Sequence, residues 1–153
     1  MYKTIVARKV RQAWAALNTR DYGPVVRSFA PRFRYENIAA EHELGGTFTT
    51  ADEMADHFDR LFHLFPDVRF AVRDVLVSGW PGSTSVVIHV GLTATLPDGK
   101  PYENEIVQRM SLRWGKVTEA RALIDNVRAR TALETLAREG VLTGEGAPSG
   151  RSS

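Results

Sequence analysis

Residues 102–114 read Tyr102-Glu103-Asn104-Glu105-Ile106-Val107-Gln108-Arg109-Met110-Ser111-Leu112-Arg113-Trp114, and the two kinds of side chain alternate along them. Successive side chains of a strand point to opposite faces. The even positions form a mainly apolar face with two amides, Asn104 and Gln108, set in it. The odd positions form a charged face that meets solvent or a partner. Preceding segments repeat the pattern: Val86, Ile88, Val90, Leu92 and Ala94 within 84–96, and Val68, Phe70 and Val72 within 68–78. Pro81-Gly82 and Pro97-Asp98-Gly99 supply the turns between them, and Gly115-Lys116 leads into a last strand at 117–124. Asp74 interrupts the alternation of its strand. It marks either a bulge that turns a carboxylate inward or an outer-face partner of Arg73 or Arg69.

Helices precede these strands. From Thr4 to Leu17, Val6, Val10, Ala13, Trp14 and Leu17 fall on one helical face. After Asn18-Thr19-Arg20, a short helix capped by Asp21 carries Tyr22, Val25, Val26 and Phe29 inward until Pro31 stops it. Residues 32–38 then alternate as a strand with Phe33, Tyr35 and Asn37 inside, and 39–49 reads as a loop with a short extended end. Thr50 and Glu53 have the spacing at which each side chain satisfies the other's free amide. They open a helix with Met54, Phe58, Leu61, Phe62 and Phe65 on its inner face, ended by Pro66. A terminal helix over 125–139 is capped by Asp125 or Asn126 and stopped by Gly140, and 141–153 reads as a flexible tail. Helices followed by long antiparallel strands give an α+β fold, in which N-terminal helices cover a curved antiparallel sheet and enclose a cone, with a C-terminal helix added.

The 153 residues suit one domain over 1–140 plus the tail. With 43% hydrophobic and 25% charged residues the chain is neither disordered nor fibrous. Its apolar runs are far too short to span a membrane, and the first residues lack a secretory core. Zero cysteines exclude disulfides and thiol chemistry and suit a cytoplasmic location. Lys and Arg total 20 against 18 Asp and Glu, intermixed along the chain, so no nucleic-acid patch is expected. No metal, phosphate-loop, nucleophile-elbow or dinucleotide motif occurs, and neither metal nor cofactor is expected.

Three stretches carry a family resemblance: Ala15-Ala16-Leu17-Asn18-Thr19-Arg20-Asp21-Tyr22, Phe65-Pro66-Asp67-Val68, and Trp114-Gly115-Lys116-Val117-Thr118-Glu119. Together with the order of elements over about residues 4 to 140, they resemble the SnoaL-like proteins of the nuclear transport factor 2-like, or ketosteroid-isomerase-like, superfamily. The resemblance implies a cone that binds a small organic ligand. It also implies cofactor-free acid/base chemistry on an apolar carbonyl substrate (isomerase, cyclase or dehydratase), or else a non-catalytic binding or dimerisation module. In the cyclase and epoxide hydrolase types the working carboxylate stands where this chain has Ala122, a departure that argues against their chemistry. The Arg and Asp pair of the hydrolase type is also missing from 102–114.

Within the cone, Tyr35, Asn37, Asn104, Gln108 and Met110 are the expected ligand contacts. Asn104 and Gln108, once buried, require partners in protein, water or ligand, and the Tyr35 hydroxyl suits a developing enolate oxygen. The expected proton carriers are His57 and Asp125. His57 lies on the flank of its helix, either as a base at the pocket mouth or as a half-exposed surface residue. Asp125 follows Leu123-Ile124 and is either a carboxyl with a raised pKa or a helix cap paired with Arg121 or Arg128. His42, between Glu41 and Glu43, reads as solvated, and His63 as polar surface. His89 shares the outer strand face with Val87 and Thr93, which the resemblance turns into a homodimer interface.

Overall fold

The computed structural model describes residues 1–38 and 45–140, so Glu41, His42, Glu43 and the 141–153 tail lie outside the described residues. The elements are α1 (Tyr2–Leu17), α2 (Gly23–Arg27), β1 (Phe29–Ile38), β2 (Gly46–Phe48), α3 (Ala51–Leu64), β3 (Arg69–Trp80), β4 (Ser83–Thr95), β5 (Pro101–Arg113), β6 (Lys116–Ile124) and α4 (Asn126–Arg138). Six strands form one sheet in the order β2-β1-β6-β5-β4-β3. It is mixed rather than wholly antiparallel, because β1 runs parallel to β6 while every other neighbouring pair is antiparallel.

Burial follows the predicted alternation. Tyr102, Asn104, Ile106, Gln108, Met110 and Leu112 of β5 are all buried, and the residues between them are mostly exposed. In β4, Val86, Ile88 and Val90 are fully buried. The register of β3 shifts between Val72 and Asp74, a bulge at Arg73. The inner face passes from Phe70 and Val72 to Val75 and Val77, and Asp74, paired with His89, stays exposed on the outer face. The bulge predicted at Asp74 therefore exists, but it turns the chain and leaves the carboxylate outside. Arg73 lies over Gly91, where a Cβ would come within 2.5 Å of its guanidinium.

Phe29 differs from expectation. The short helix ends at Arg27, and Phe29 opens β1, stacked on Phe33 at 4.2 Å between ring centroids. Asp21 serves as an accessory cap, accepting from Gly23 N at 2.9 Å, while Tyr22 occupies the N-cap position. The Thr50–Glu53 capping box is present at the start of α3. Between β5 and β6, Trp114 and Gly115 both have positive φ, the backbone that a two-residue hairpin in a right-twisted sheet requires.

Polar clamps fix α1 across the sheet. At its start, Thr84 Oγ1 donates to Trp80 O at 2.8 Å and accepts from the Tyr2 hydroxyl at 2.6 Å. Just past its end, Asn18 donates to Phe70 O at 2.9 Å and accepts from Phe70 N at 2.7 Å. β3 is an edge strand, so Asn18 satisfies backbone groups that no further strand pairs. Arg20, with φ of 66°, carries the chain on, bonds the carbonyls of Val68 and Pro66, and stacks on Phe62 at 4.7 Å.

Replacing Asn18 with Leu should cost about 2 kcal/mol, because it strands both Phe70 backbone groups. Thermal unfolding followed by circular dichroism should show a Tm lower by roughly 4–8 °C; an unchanged Tm would mean that this clamp does not hold the helix.

Candidate functional site

Between the helices and the inner sheet face lies a cavity of about 610 Å³, within the usual range for small-molecule sites. Its wall is mainly apolar, built by Val6, Val10 and Trp14 of α1, Phe58 and Leu61 of α3, and Ile106, Met110 and Leu112 of β5. Tyr35, Asn37, His57, Asn104, Gln108 and Met110, the expected site residues apart from Asp125, all line it. Alternation brings five of them there, since each sits at an inner position of β1 or β5.

His57 arrives from α3, one residue before buried Phe58, and its ring faces the cavity from within an aromatic collar. Its neighbours are Phe48 at 4.8 Å, Phe58 at 5.7 Å and Tyr35 at 6.4 Å, centroid to centroid. Among the described residues no hydrogen bond or ion pair engages the imidazole. With no countercharge to offset desolvation, burial pushes its pKa down from 6.5 to about 4. At neutral pH it is therefore an uncharged ring able to accept a proton. Tyr35 is desolvated in the same collar, and burial pushes its phenol well above the ordinary value, so it stays a donor. Its hydroxyl reaches Gln108 Oε1 over 3.4 Å, a long bond. A ligand oxygen in the cavity would offer Tyr35 a shorter one.

The two β5 amides differ. Asn104 is saturated by protein: Nδ2 donates to the Tyr102 hydroxyl at 2.7 Å and to Asp125 O at 3.1 Å, and Oδ1 accepts from the amides of Glu105 and Asp125. It ties β5 to the start of α4. Gln108 lines the cavity and, among the described residues, has only the long Tyr35 contact.

Asp125 stands outside the cavity wall. Its Oδ1 accepts from Val127 N at 3.0 Å and Arg128 N at 3.1 Å, its Oδ2 lies 3.4 Å from Arg128 Nε, and the side chain is 45% exposed. The carboxylate is a helix cap, held by the free amides of the first turn of α4. Ala122, on the inner face of β6, is buried in the wall, so this position brings no acid to the cavity. His63 is exposed, and His89 Nε2 contacts Glu105 Oε1 at 2.5 Å on the outer face. No group of His, Asp and Glu among the described residues could hold a metal ion.

Sequence reading missed the wall residues Lys9, Arg27 and Lys116. For Lys9 a signal existed: Ile5, Lys9 and Gln12 form a stripe at helical spacing beside the buried one. Arg27 and Lys116 are brought in by the packing of α2 against the β5–β6 turn, where Lys116 Nζ donates to Arg27 O at 3.0 Å.

A family model described as a SnoaL-like domain matches residues 10–120. No curated protein matches the chain. Among solved structures, PrhC from Penicillium brasilianum has a TM-score of 0.79 at 14% identity, over 96% of this chain and 97% of that one. IdmH from Streptomyces antibioticus, a candidate polyketide cyclase, has a TM-score of 0.67 at 21% identity, over 86% and 98%. TerC, crystallised with polyporic acid, has a TM-score of 0.71 at 18% identity, over 84% and 98%. At these identities the likeness shows the fold alone, the nuclear transport factor 2-like cone.

The His57 environment sets a pH dependence. The unfolded chain binds a proton on this ring near pH 6.5, whereas the folded protein does so only near 4, so its contribution is intact above 6.5 and is lost as pH falls through that window. The loss approaches about 3 kcal/mol. A His57→Phe variant, followed by thermal unfolding between pH 7 and pH 4, should gain on the parent protein as the medium is acidified. Parallel Tm curves would mean that the imidazole is solvated.

Proposed function

This chain belongs to the SnoaL-like domain family, and we propose that its cone binds a small organic molecule with a carbonyl group and catalyses proton transfer beside that carbonyl without a cofactor. The observation that carries this reading is the pairing, in one apolar cavity, of an uncharged His57 with a protonated Tyr35. The Nε2 or Nδ1 of His57 takes a proton from the carbon next to the carbonyl, and Tyr35 donates to the oxygen on which the enolate charge develops. Gln108 donates to a second ligand oxygen and fixes its orientation. Because the cavity opposes an isolated imidazolium, the enolate itself is the counterion that lets His57 charge, and the two charges disappear together when the proton returns to a different carbon. The result is an isomerisation; a ring closure or loss of water follows if the enolate attacks or expels a group. The likeness to TerC, crystallised with polyporic acid, supports an organic ligand, and the likeness to IdmH supports one of the polyketide kind. Asp125, committed to its helix, takes no part in this scheme.

A second reading, a binding module without turnover, is favoured by Ala122 in the wall and by the saturation of Asn104. Deuterium exchange into cyclic ketone and β-diketone probes, followed by NMR, separates the two. Exchange above the buffer rate should rise with pH through about 4 and be level by 6.5, reporting the free imidazole. His57→Phe should lower it by roughly 10²–10⁴-fold and Tyr35→Phe by roughly 10²–10³-fold. Binding of the same probes with exchange at the buffer rate would select the module instead.

The outer sheet face supports a homodimer. Val107 and Leu123 are register partners there, 43% and 50% exposed, and a hydrogen bond between His89 and Glu105 and an ion pair between Glu36 and Arg121 lie around them. A two-fold contact would cover this apolar centre and match acids with bases across the rim. Sedimentation at micromolar concentration should give a dimer that Leu123→Glu converts to a monomer; a monomeric parent protein would refute the assembly.

A further inference from the structure

Three charged residues line the cavity, Lys9, Arg27 and Lys116, and all three are basic. No Asp or Glu joins them in the wall among the described residues, although the chain carries 18 acids. They come from three elements, the middle of α1, the last residue of α2 and the first residue of β6, and all are exposed, so they sit where the cavity meets solvent. The bond from Lys116 to the Arg27 carbonyl docks one ammonium group against the end of α2. Among the described residues none of the three enters an ion pair. Asp21 accepts from the amide of Gly23, and its carboxylate and the Arg27 guanidinium both lie over that glycine without forming an ion pair. Arg27 and Lys116 thus adjoin at the mouth of a cavity whose interior is apolar, and Lys9 adds a third cation from the middle of α1.

The polar interior lies well away from this mouth. Leu112 pairs with Val117, the neighbour of Lys116, whereas Gln108 lies four residues further along the same inner face of β5. That separation is about 13 Å at the rise of a strand, with Met110 between. We propose that the cone takes an amphipathic organic carboxylate, its anionic end held by Lys9, Arg27 and Lys116 and its apolar body running past Met110 to Gln108. This inference deepens the reading of the cone as a small-molecule site and rests on it. Three exposed cations each contribute little, but around one anion their fields add, and the same fields repel a cationic ligand. The carboxylate also determines which end enters first, since an anion at the apolar Met110 level would be desolvated without a partner.

Decanoate and decan-1-ol, of about the right length and differing only at the head, test this by calorimetric titration. At an ionic strength of about 0.01 M decanoate should bind about tenfold more tightly. The preference should vanish at about 1 M salt and in the triple variant Lys9→Gln, Arg27→Gln, Lys116→Gln, whose affinity for decan-1-ol stays at the parent level. Equal affinities in the parent protein, or a preference that survives the three substitutions, would overturn the carboxylate proposal and leave the apolar cone standing. Should neither compound bind while the ketone probes do, this inference falls and the small-molecule reading stands; should none of them bind, both fall. If the triple variant does not fold, Lys9→Gln alone, at an exposed helix position, must still reduce the preference about twofold.

Discussion

The fold turns on how α1 is held. An unfilled apolar volume deprives its walls of contacts, and a helix free to move would sink into it. The hydroxyl relay from Tyr2 through Thr84 to Trp80 O and the two-way bond between Asn18 and Phe70 are directional, and they lie at the two ends of the helix. They set its distance from the sheet, so the cavity survives between Val10 and Trp14 on one side and β5 on the other. The bulge at Arg73 shifts the register of the edge strand against which this helix packs while keeping Asp74 and Arg73 outside.

The mainly apolar lining of the cavity governs the protonation of His57 and Tyr35. His57 stays neutral and Tyr35 stays protonated for one reason, the cost of isolating a charge in an apolar collar. The polar groups of the inner sheet face divide accordingly. Asn104 spends all its bonding capacity on protein, where it joins β5 to α4, while Gln108 and Tyr35 share one long contact that a ligand can replace. Among the described residues the charged side chains of the wall are Lys9, Arg27 and Lys116, all exposed to the water that screens them. A ligand therefore meets cations, then apolar walls, then hydrogen-bonding groups.

Much of this was legible in the order of residues, for identifiable reasons. Alternation in a strand has only two phases, and the apolar side chains of β5 choose one; that choice alone sends Asn104, Gln108 and Met110 inward. The capping box at Thr50 and the stop at Pro66 bound α3 with no reference to the rest of the chain. Local chemistry misplaced Phe29, because Pro31 ends a helix without saying how many residues earlier the backbone has already become extended. It left Asp125 open because a residue at the junction of a strand and a helix has the same sequence neighbours whether it points to the cavity or to its own first turn.

The sequence by itself determined the α+β class, the inward faces of the strands and helices and the residues available to the cone, since these depend on periodicities of two and of 3.6 that are written along the chain. Only packing settles that His57 faces an aromatic collar, that Asn104 is used up by its bonds to Tyr102 and the start of α4, that Asp125 caps a helix, and that Lys9, Arg27 and Lys116 line the same cavity. Each of these is a relation between elements far apart in sequence. Desolvation, hydrogen-bond saturation and the grouping of charges are properties of the space between elements, and that space exists only after packing.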